Sequence, residues 1–486
     1  MQTTTDIADL LGSLSPARRA LLEQRLGARD TPSAPALERR KPTDPRVLSC
    51  AQQQLCFIHQ MSPDSPAYNV PYAVYLKGAI DIDALQKALD AVVGRHEILR
   101  TMYLPFQGRI IPAVPRQWSV PLEIVDLSSL TNQDDCVQAV IKDFAEEPFD
   151  LSCHLKIRCA LYRLTDDTSI FMHVTHHIAW DLQSRTVFYR ELDSLYDSFQ
   201  SGAPCRLPEP DLQYADYALW QHKHLQGKTL QTLMAYWKQK LADGPTALKM
   251  PADFPRPAVQ SMKGERLPLQ LSAETLNAAR ALANDSRVTL YMALLASYFV
   301  FLYSYSGQGD ICVGSPFDER RNPQLEPLIG MFINTLVLRA QLTGEMTFIE
   351  LMGQIRNTVL QAIDHQDLPF EKVVEAVQPP RDLSRMLLFQ ANFRLQGEAS
   401  PPLHLSGVET QVSKLVDNAT SKFDLALELP STPATWGYLE YSTSIFSQVS
   451  AQLMVQNYQE LLKSLLARPE APIGRLETVA HIQARY

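Results

Sequence analysis

No Cys-x-x-Cys pair occurs in this chain, and its seven cysteines (Cys50, Cys56, Cys136, Cys153, Cys159, Cys205 and Cys312) are odd in number. That argues against a disulfide framework and against a zinc site. They read as reduced thiols of a cytoplasmic protein. Cys153 and Cys159, set in an apolar stretch, read as core filler. Basic charge is not in excess: Lys and Arg total 45 against 53 Asp and Glu, a net charge of -8. A nucleic-acid binder would carry a basic patch or high pI, so that partner is not expected. No apolar run reaches the roughly 18 residues that a membrane span needs. Met1-Gln-Thr-Thr-Thr lacks the basic and apolar regions of a secretory signal. A soluble, cytosolic protein is the expectation. Short internal repeats and low-complexity tracts are absent, and so is a Gly-x-Ser-x-Gly elbow, so a serine acyl-enzyme is not indicated.

What is present is a chain of 486 residues, 45% hydrophobic and 20% charged. Single cores stop growing at roughly 250–300 residues, so two lobes are expected. Near the N-terminus, leucines at 10, 11, 14, 21, 22 and 26 mark a helix over 5–27. Thr31-Pro-Ser-Ala-Pro and Pro42-Thr-Asp-Pro45 then read as a linker. Beyond Leu48 helices and strands alternate. Apolar periodicity predicts helices over 84–94, 183–199, 348–363 and 448–466, and one or two over 273–305. An aromatic helical stretch covers 212–241. Strands are predicted over 155–164, 169–178 and 311–315. Mixed elements in both halves indicate α/β layers.

The densest chemistry lies in Thr175-His176-His177-Ile178-Ala179-Trp180-Asp181-Leu182. A strand runs into two histidines, a carboxylate follows the second by four residues, and a helix begins near Ser184. Neighbouring side chains on a strand point to opposite faces, so one ring enters the core while the other faces a cleft. Asp181 can hold the turn through backbone or arginine hydrogen bonds. Imidazole, with an ordinary pKa of roughly 6.5, accepts a proton near neutrality. With no serine nucleophile, direct attack of an amine or hydroxyl on an activated carbonyl is the simplest chemistry. A zinc site needs three or four ligands, and no metal is expected here. On spacing alone, a satisfied polar residue explains the pair as well as catalysis does.

Seven segments, in order, resemble the condensation domains of nonribosomal peptide synthetases. They are Ser49-Cys-Ala-Gln-Gln-Gln-Leu-Cys-Phe57, Arg95-His-Glu-Ile-Leu-Arg-Thr101, His176-His177-x-x-x-Asp181, Tyr214-Ala-Asp-Tyr-Ala-Leu-Trp-Gln221, Ile329-Gly-Met-Phe-Ile-Asn-Thr335, His365-Gln-Asp-Leu-Pro-Phe-Glu371 and Arg381-Asp-Leu-Ser-Arg385. The resemblance implies an α/β fold of two chloramphenicol acetyltransferase-like lobes, a V-shaped pseudo-dimer with a central tunnel. Residues 1–45 would be an N-terminal helix and linker, 46–215 the first lobe and 216–486 the second, with a floor loop and a latch.

Phosphopantetheine arms from an upstream donor carrier and a downstream acceptor carrier would meet at His177. The chain itself would hold no cofactor and act as a monomer in antibiotic and other secondary metabolism. His177 would orient the acceptor amine, His176 would be buried, and Asp181 would pair with Arg100 or Arg321. Trp180 and Leu182 would line or support the tunnel, Asn334 would lie in its floor, and Ser421 would begin the strand after the latch. Where the family has glycine after the aspartate, this chain has Leu182. Leucine keeps the backbone amide but cannot adopt glycine-only geometry cheaply. The implied activity is amide formation between two thioesters. Ester formation with a hydroxyl acceptor is one alternative. A non-catalytic carrier-binding module is another, and a freestanding acyl-CoA transferase a third. All the catalytic readings require the His177 ring to be reachable.

Overall fold

The computed structural model describes residues 36–129, 133–397, 401–433 and 435–485. The helix expected over 5–27 lies outside the described residues. In chain order the strands are β1 (Asn69–Lys77), the hairpin β2 (Met102–Phe106) and β3 (Arg109–Ala113), β4 (Leu122–Asp126), β5 (Ile157–Arg163), β6 (Thr168–His176), β7 (Gly264–Leu269), β8 (Asp310–Asp318), β9 (Ile333–Gln341), β10 (Ala391–Leu395), β11 (Glu409–Leu415), β12 (Leu425–Leu429) and β13 (Gly437–Ser442). They form a five-stranded sheet, β11-β1-β6-β5-β4, and a six-stranded sheet, β7-β13-β12-β10-β8-β9.

Each sheet is packed by helices over its own apolar cluster. In the first lobe the helix Leu182–Ser201 buries Val187, Phe188, Leu192 and Leu195, the stripe that its 3.6-residue period dictates. It ends at Gly202, whose φ of 72° gives the left-handed cap that glycine adopts freely. In the second lobe Leu290–Ser306 is buried on nearly every side. It is separate from Ala273–Asp285: Thr289 caps the second helix and the two axes bend by 106°. The aromatic stretch likewise splits, into Tyr214–His224 and Gly227–Lys240, and a helix that the apolar pattern did not reveal follows at Glu477–Arg485. No single helix among the described residues is long and apolar enough to cross a membrane.

Two parts of the later chain pack into the first core. Leu325, Leu328, Ile329 and Phe332 join it, as do Leu403, Leu405 and Val408. After them β11 pairs antiparallel with β1, with Tyr72 opposite Leu415. The crossing segment is then pinned: Val416 N donates to Pro71 O at 3.0 Å, and Asn418 Nδ2 donates to Pro66 O at 3.0 Å and Asn69 O at 3.2 Å. It returns to the second lobe through Ser421, whose N–H donates to Met262 O at 2.8 Å. The end of the expected linker is not free either, since Leu37 is buried and Arg40 pairs with Glu97. Cys159 is buried, but Cys153 is exposed rather than core filler, because it sits in the turn that Asp150 and Ser152 close before β5.

Gly264 sets how closely the returning segment approaches β7. A Cβ there would lie 2.3 Å from Ser421 Cβ and 2.7 Å from its backbone nitrogen. Gly264→Ala is expected to cost roughly 1–3 kcal/mol as overpacking, read as a lower urea midpoint. An unchanged midpoint would show that the crossing segment yields freely.

Candidate active site

His176 and His177 stand where β6 leaves its sheet. His176 is the last strand residue, opposite Asn69, and a 3-10 turn over His177–Ala179 follows. Their amides donate to opposite neighbours, His176 N to Lys156 O at 3.0 Å and His177 N to Tyr68 O at 2.8 Å. His176 is buried, and its Nδ1 accepts from Ile178 N at 3.1 Å, which puts the ring proton on Nε2. Burial, followed by the nearby Lys156 ammonium, holds it well below the usual histidine range. It is a neutral structural ring.

His177 differs. The residue keeps part of its surface open. Nδ1 is sealed, with only the residue's own carbonyl in reach, so Nε2 is the nitrogen left to face out. Burial first and the charge of Lys422 second hold its pKa down to about 4, so the imidazole is neutral near pH 7. The Tyr68 ring meets it edge-on at 6.5 Å. A third histidine of β6, His173, escaped the sequence reading. It is buried against Tyr72 and bonded to Tyr189 Oη at 3.0 Å, and burial lowers it to about 3.

Asp181 caps the helix Leu182–Ser201 and is buried. Its Oδ1 accepts from Ser184 N and Oγ, both at 2.8 Å, and from one Arg320 nitrogen at 3.0 Å. Its Oδ2 accepts from the other Arg320 nitrogen at 2.5 Å and from Phe332 N at 3.0 Å. Ser184 Oγ also bonds both backbone groups of Gly330. The arginine is therefore neither of the two expected. Arg100 instead closes a helix end, donating to Val93 O, Gly94 O and Pro115 O while stacking on Trp118. Arg321 points away to Ile363 O and Asp367. Two adjacent arginines after β8 project in different directions, and only Arg320 turns inward over the Phe332 ring.

The other expected residues divide in the same way. Trp180 is wholly buried against His173 and Phe188. Asn334, in β9, bonds Gln366 O at 2.7 Å, Leu368 O at 2.8 Å and Phe370 N at 3.1 Å, so it shapes the 365–371 turn from inside. Ser421 is buried with its hydroxyl on Phe423 O. Leu182 is 38% exposed and opens its helix with no positive φ. The expected backbone conflict does not arise, because the position is ordinary helix. Tyr68, Lys422 and Arg320 were missed as site residues. Among the described residues no three His, Cys, Asp or Glu side chains gather to hold a metal. What the site offers is a neutral imidazole with one open nitrogen on a rigid strand end.

A family model described as Condensation domain matches residues 44–485. The chain is 39% identical over 433 residues to a linear gramicidin synthase of Brevibacillus parabrevis, a match that covers 88% of this chain but 8% of that protein. It is 34% identical to phosphinothricin tripeptide synthetase PhsC of Streptomyces viridochromogenes, covering 99% of this chain and 45% of that one. The chain thus spans less than half the length of either relative. Among solved structures it is similar to the X-domain from teicoplanin biosynthesis, with a TM-score of 0.83, 25% identity, and coverage of 91% of this chain and all of that one. That X-domain has also been solved in complex with OxyB.

Removing one partner of a buried pair leaves the other charge uncompensated, at a cost of roughly 3–5 kcal/mol. Arg320→Ala is expected to lose stability of that order in urea unfolding, whereas Arg321→Ala barely moves the midpoint. A second expectation concerns pH. His177 titrates lower folded than unfolded, so its contribution is complete above its ordinary 6.5 and is lost as pH falls toward about 4. Asp193 and Glu319, pushed up to about 7 by burial, act in the opposite sense. The measurement is therefore a difference: between pH 6.5 and 4 the chain should lose stability faster than its His177→Ala variant does.

Proposed function

The chain belongs to the condensation-domain family of nonribosomal peptide synthetases, and from that premise we propose that it joins a donor acyl thioester to a carrier-bound acceptor amine, with His177 orienting the amine. Both substrates arrive on phosphopantetheine arms of partner carrier proteins, and the chain supplies no cofactor of its own. The observation that carries this reading is the neutral, partly open imidazole of His177.

The acceptor amine donates one N–H to His177 Nε2 while its lone pair attacks the thioester carbonyl. A C–N bond forms as the carbonyl electron pair moves onto oxygen. Collapse restores the carbonyl and breaks the C–S bond. The amine's surplus proton goes to the departing sulfur, with Nε2 holding it in transit. An imidazole near pKa 4 is a weak base, so its main contribution is placement. Orientation of two bound reactants lowers a barrier by as much as roughly 7–11 kcal/mol. Weak basicity favours an amine acceptor over a hydroxyl, since a free amine needs no prior deprotonation to attack. It also makes the acceptor's own ammonium, near pKa 7.7–8.0 for an α-amine, the group whose titration limits the rate in mild acid.

A second reading, a module that holds carriers or recruits another protein without catalysis, draws on the likeness to the X-domain. The two readings separate in one assay, a donor-loaded carrier mixed with an acceptor-loaded carrier and followed by intact mass. Condensation predicts transfer of the donor, and recruitment predicts a persistent complex with no transfer. Under the condensation reading His177→Ala lowers product formation by roughly 10²–10⁴-fold while circular dichroism stays that of the parent. Leu182→Gly should bring no gain in rate and cost no more than about 1 kcal/mol of stability, the helix penalty of glycine. A rate increase in that variant would make Leu182 an obstacle rather than a neutral replacement.

A further inference from the structure

One face of the second-lobe sheet is charged. Register places Asn392, Ala426, Glu440 and Arg266 in one row, and Arg394, Glu428 and Tyr438 in the next. Its two carboxylates are each taken by an arginine: Glu428 by Arg394, and Glu440 by Arg266 at 3.0 Å. Lys422 is the remaining cation of the group, and among the described residues no carboxylate lies within ion-pair distance of it. Its ammonium sits 4.3 Å from the centroid of the Tyr68 ring. Tyr68 is the residue whose carbonyl fixes the His177 amide and whose ring edge meets the His177 ring. The crossing segment, pinned by Asn418 to the backbone on either side of Tyr68, delivers Lys422 to that place.

We propose that Lys422, seated on Tyr68 by the returning segment, is a positioning residue that keeps His177 uncharged with its Nε2 lone pair open to the acceptor. A cation beside an imidazole disfavours a second positive charge there. The charges that act on His177 are those of Lys422 from the crossing segment, Arg394 from β10 and Asp181 from the helix cap, and its titratable neighbour on β6 is His176. Asp181 is already spent on Arg320, and Arg394 on Glu428. The Tyr68 phenol, pushed up to about 12, is neutral. Burial and the neighbouring arginines hold Lys422 at about 8. It therefore carries its charge at and below the ordinary imidazole midpoint of about 6.5, where that ring would protonate. Across the lobes this device couples chain return to the protonation state of the reacting ring.

The inference rests on the condensation reading for its purpose but not for its test. Histidine ring NMR on the full chain, with the His177 signal assigned by its loss in His177→Ala, follows the ring directly. Lys422→Met and Lys422→Gln should move the His177 midpoint upward from about 4 toward 6.5, and Lys422→Arg should leave it near the parent value. Tyr68→Leu, which removes the seat, should give a smaller upward shift. In the carrier assay, the turnover of Lys422→Met relative to the parent should fall progressively as pH drops from about 8 to about 5.5, the span in which an ordinary imidazole titrates. A fixed loss at every pH, or an unmoved His177 midpoint in both neutral variants, overturns the proposal. A parent chain whose ring titrates as expected but transfers no donor overturns the condensation reading and leaves the coupling intact.

Discussion

A carboxylate can be taken out of water only if its charge and its lone pairs are met, and Asp181 meets that condition with partners drawn from both halves of the chain. Its own helix supplies Ser184, and the second half supplies Arg320 and the Phe332 amide. Such a pair adds little stability over a well-packed apolar contact, but it tolerates no slack. Its geometry fixes where the helix Leu182–Ser201 begins relative to the loop 328–332. That in turn fixes the short turn from His177 to Trp180, since only three residues separate the His177 ring from the buried charge. Gly330 belongs to the same constraint: a Cβ there would lie 2.2 Å from the Tyr214 ring, so the loop can approach only as glycine.

A second consequence concerns proton affinity. Three neighbouring histidines, His173 and His176 on β6 and His177 just after it, are all held below the ordinary imidazole range, and burial is the leading cause in each. Yet only one is reachable. His173 has Tyr72 stacked on it and Tyr189 bonded to it, and His176 has its Nδ1 committed to Ile178. The same low polarity that lowers all three thus yields two packing residues and one reachable ring, and the difference is access to Nε2. Leu182 fits that division. It lies on the exposed first turn of its helix in a conformation any residue adopts, so replacing glycine there changes the surface beside the site without changing the backbone that carries it.

The local pattern carried most of the fold. β5 and β6 fall within a residue or two of where their apolar runs place them, and the split of His176 from His177 that strand alternation predicts is made where the strand gives way to a 3-10 turn. The ordered motifs identified the family because their spacing reflects the whole chain. What could not be read were contacts between distant segments. Arg320 and Arg321 are neighbours of the same chemistry on an irregular turn, and no period tells which one faces inward. β11 looks like any short polar-apolar strand, and its pairing with β1 depends on a return path that sequence does not encode locally. Trp180 reads from sequence as lining or supporting the tunnel because it adjoins the motif, and its position on the turn puts it wholly in the core.

The largest illegible element has the clearest physical logic. A segment that leaves one lobe, adds a strand to the other and returns must carry its residues across from one sheet to the other. On that path the backbone hydrogen bond from Val416 and the side-chain bonds from Asn418 do the holding, so the Lys422 ammonium is not needed to pin the chain. A cation so placed, over the face of Tyr68, would be costly if its only task were to stabilise the fold, because burial already pulls it down to about 8. An apolar residue would pack on Tyr68 at less expense. The charge is therefore better explained by what lies next to it than by what holds it, and what lies next to it is Tyr68, whose ring meets that of the partly open His177.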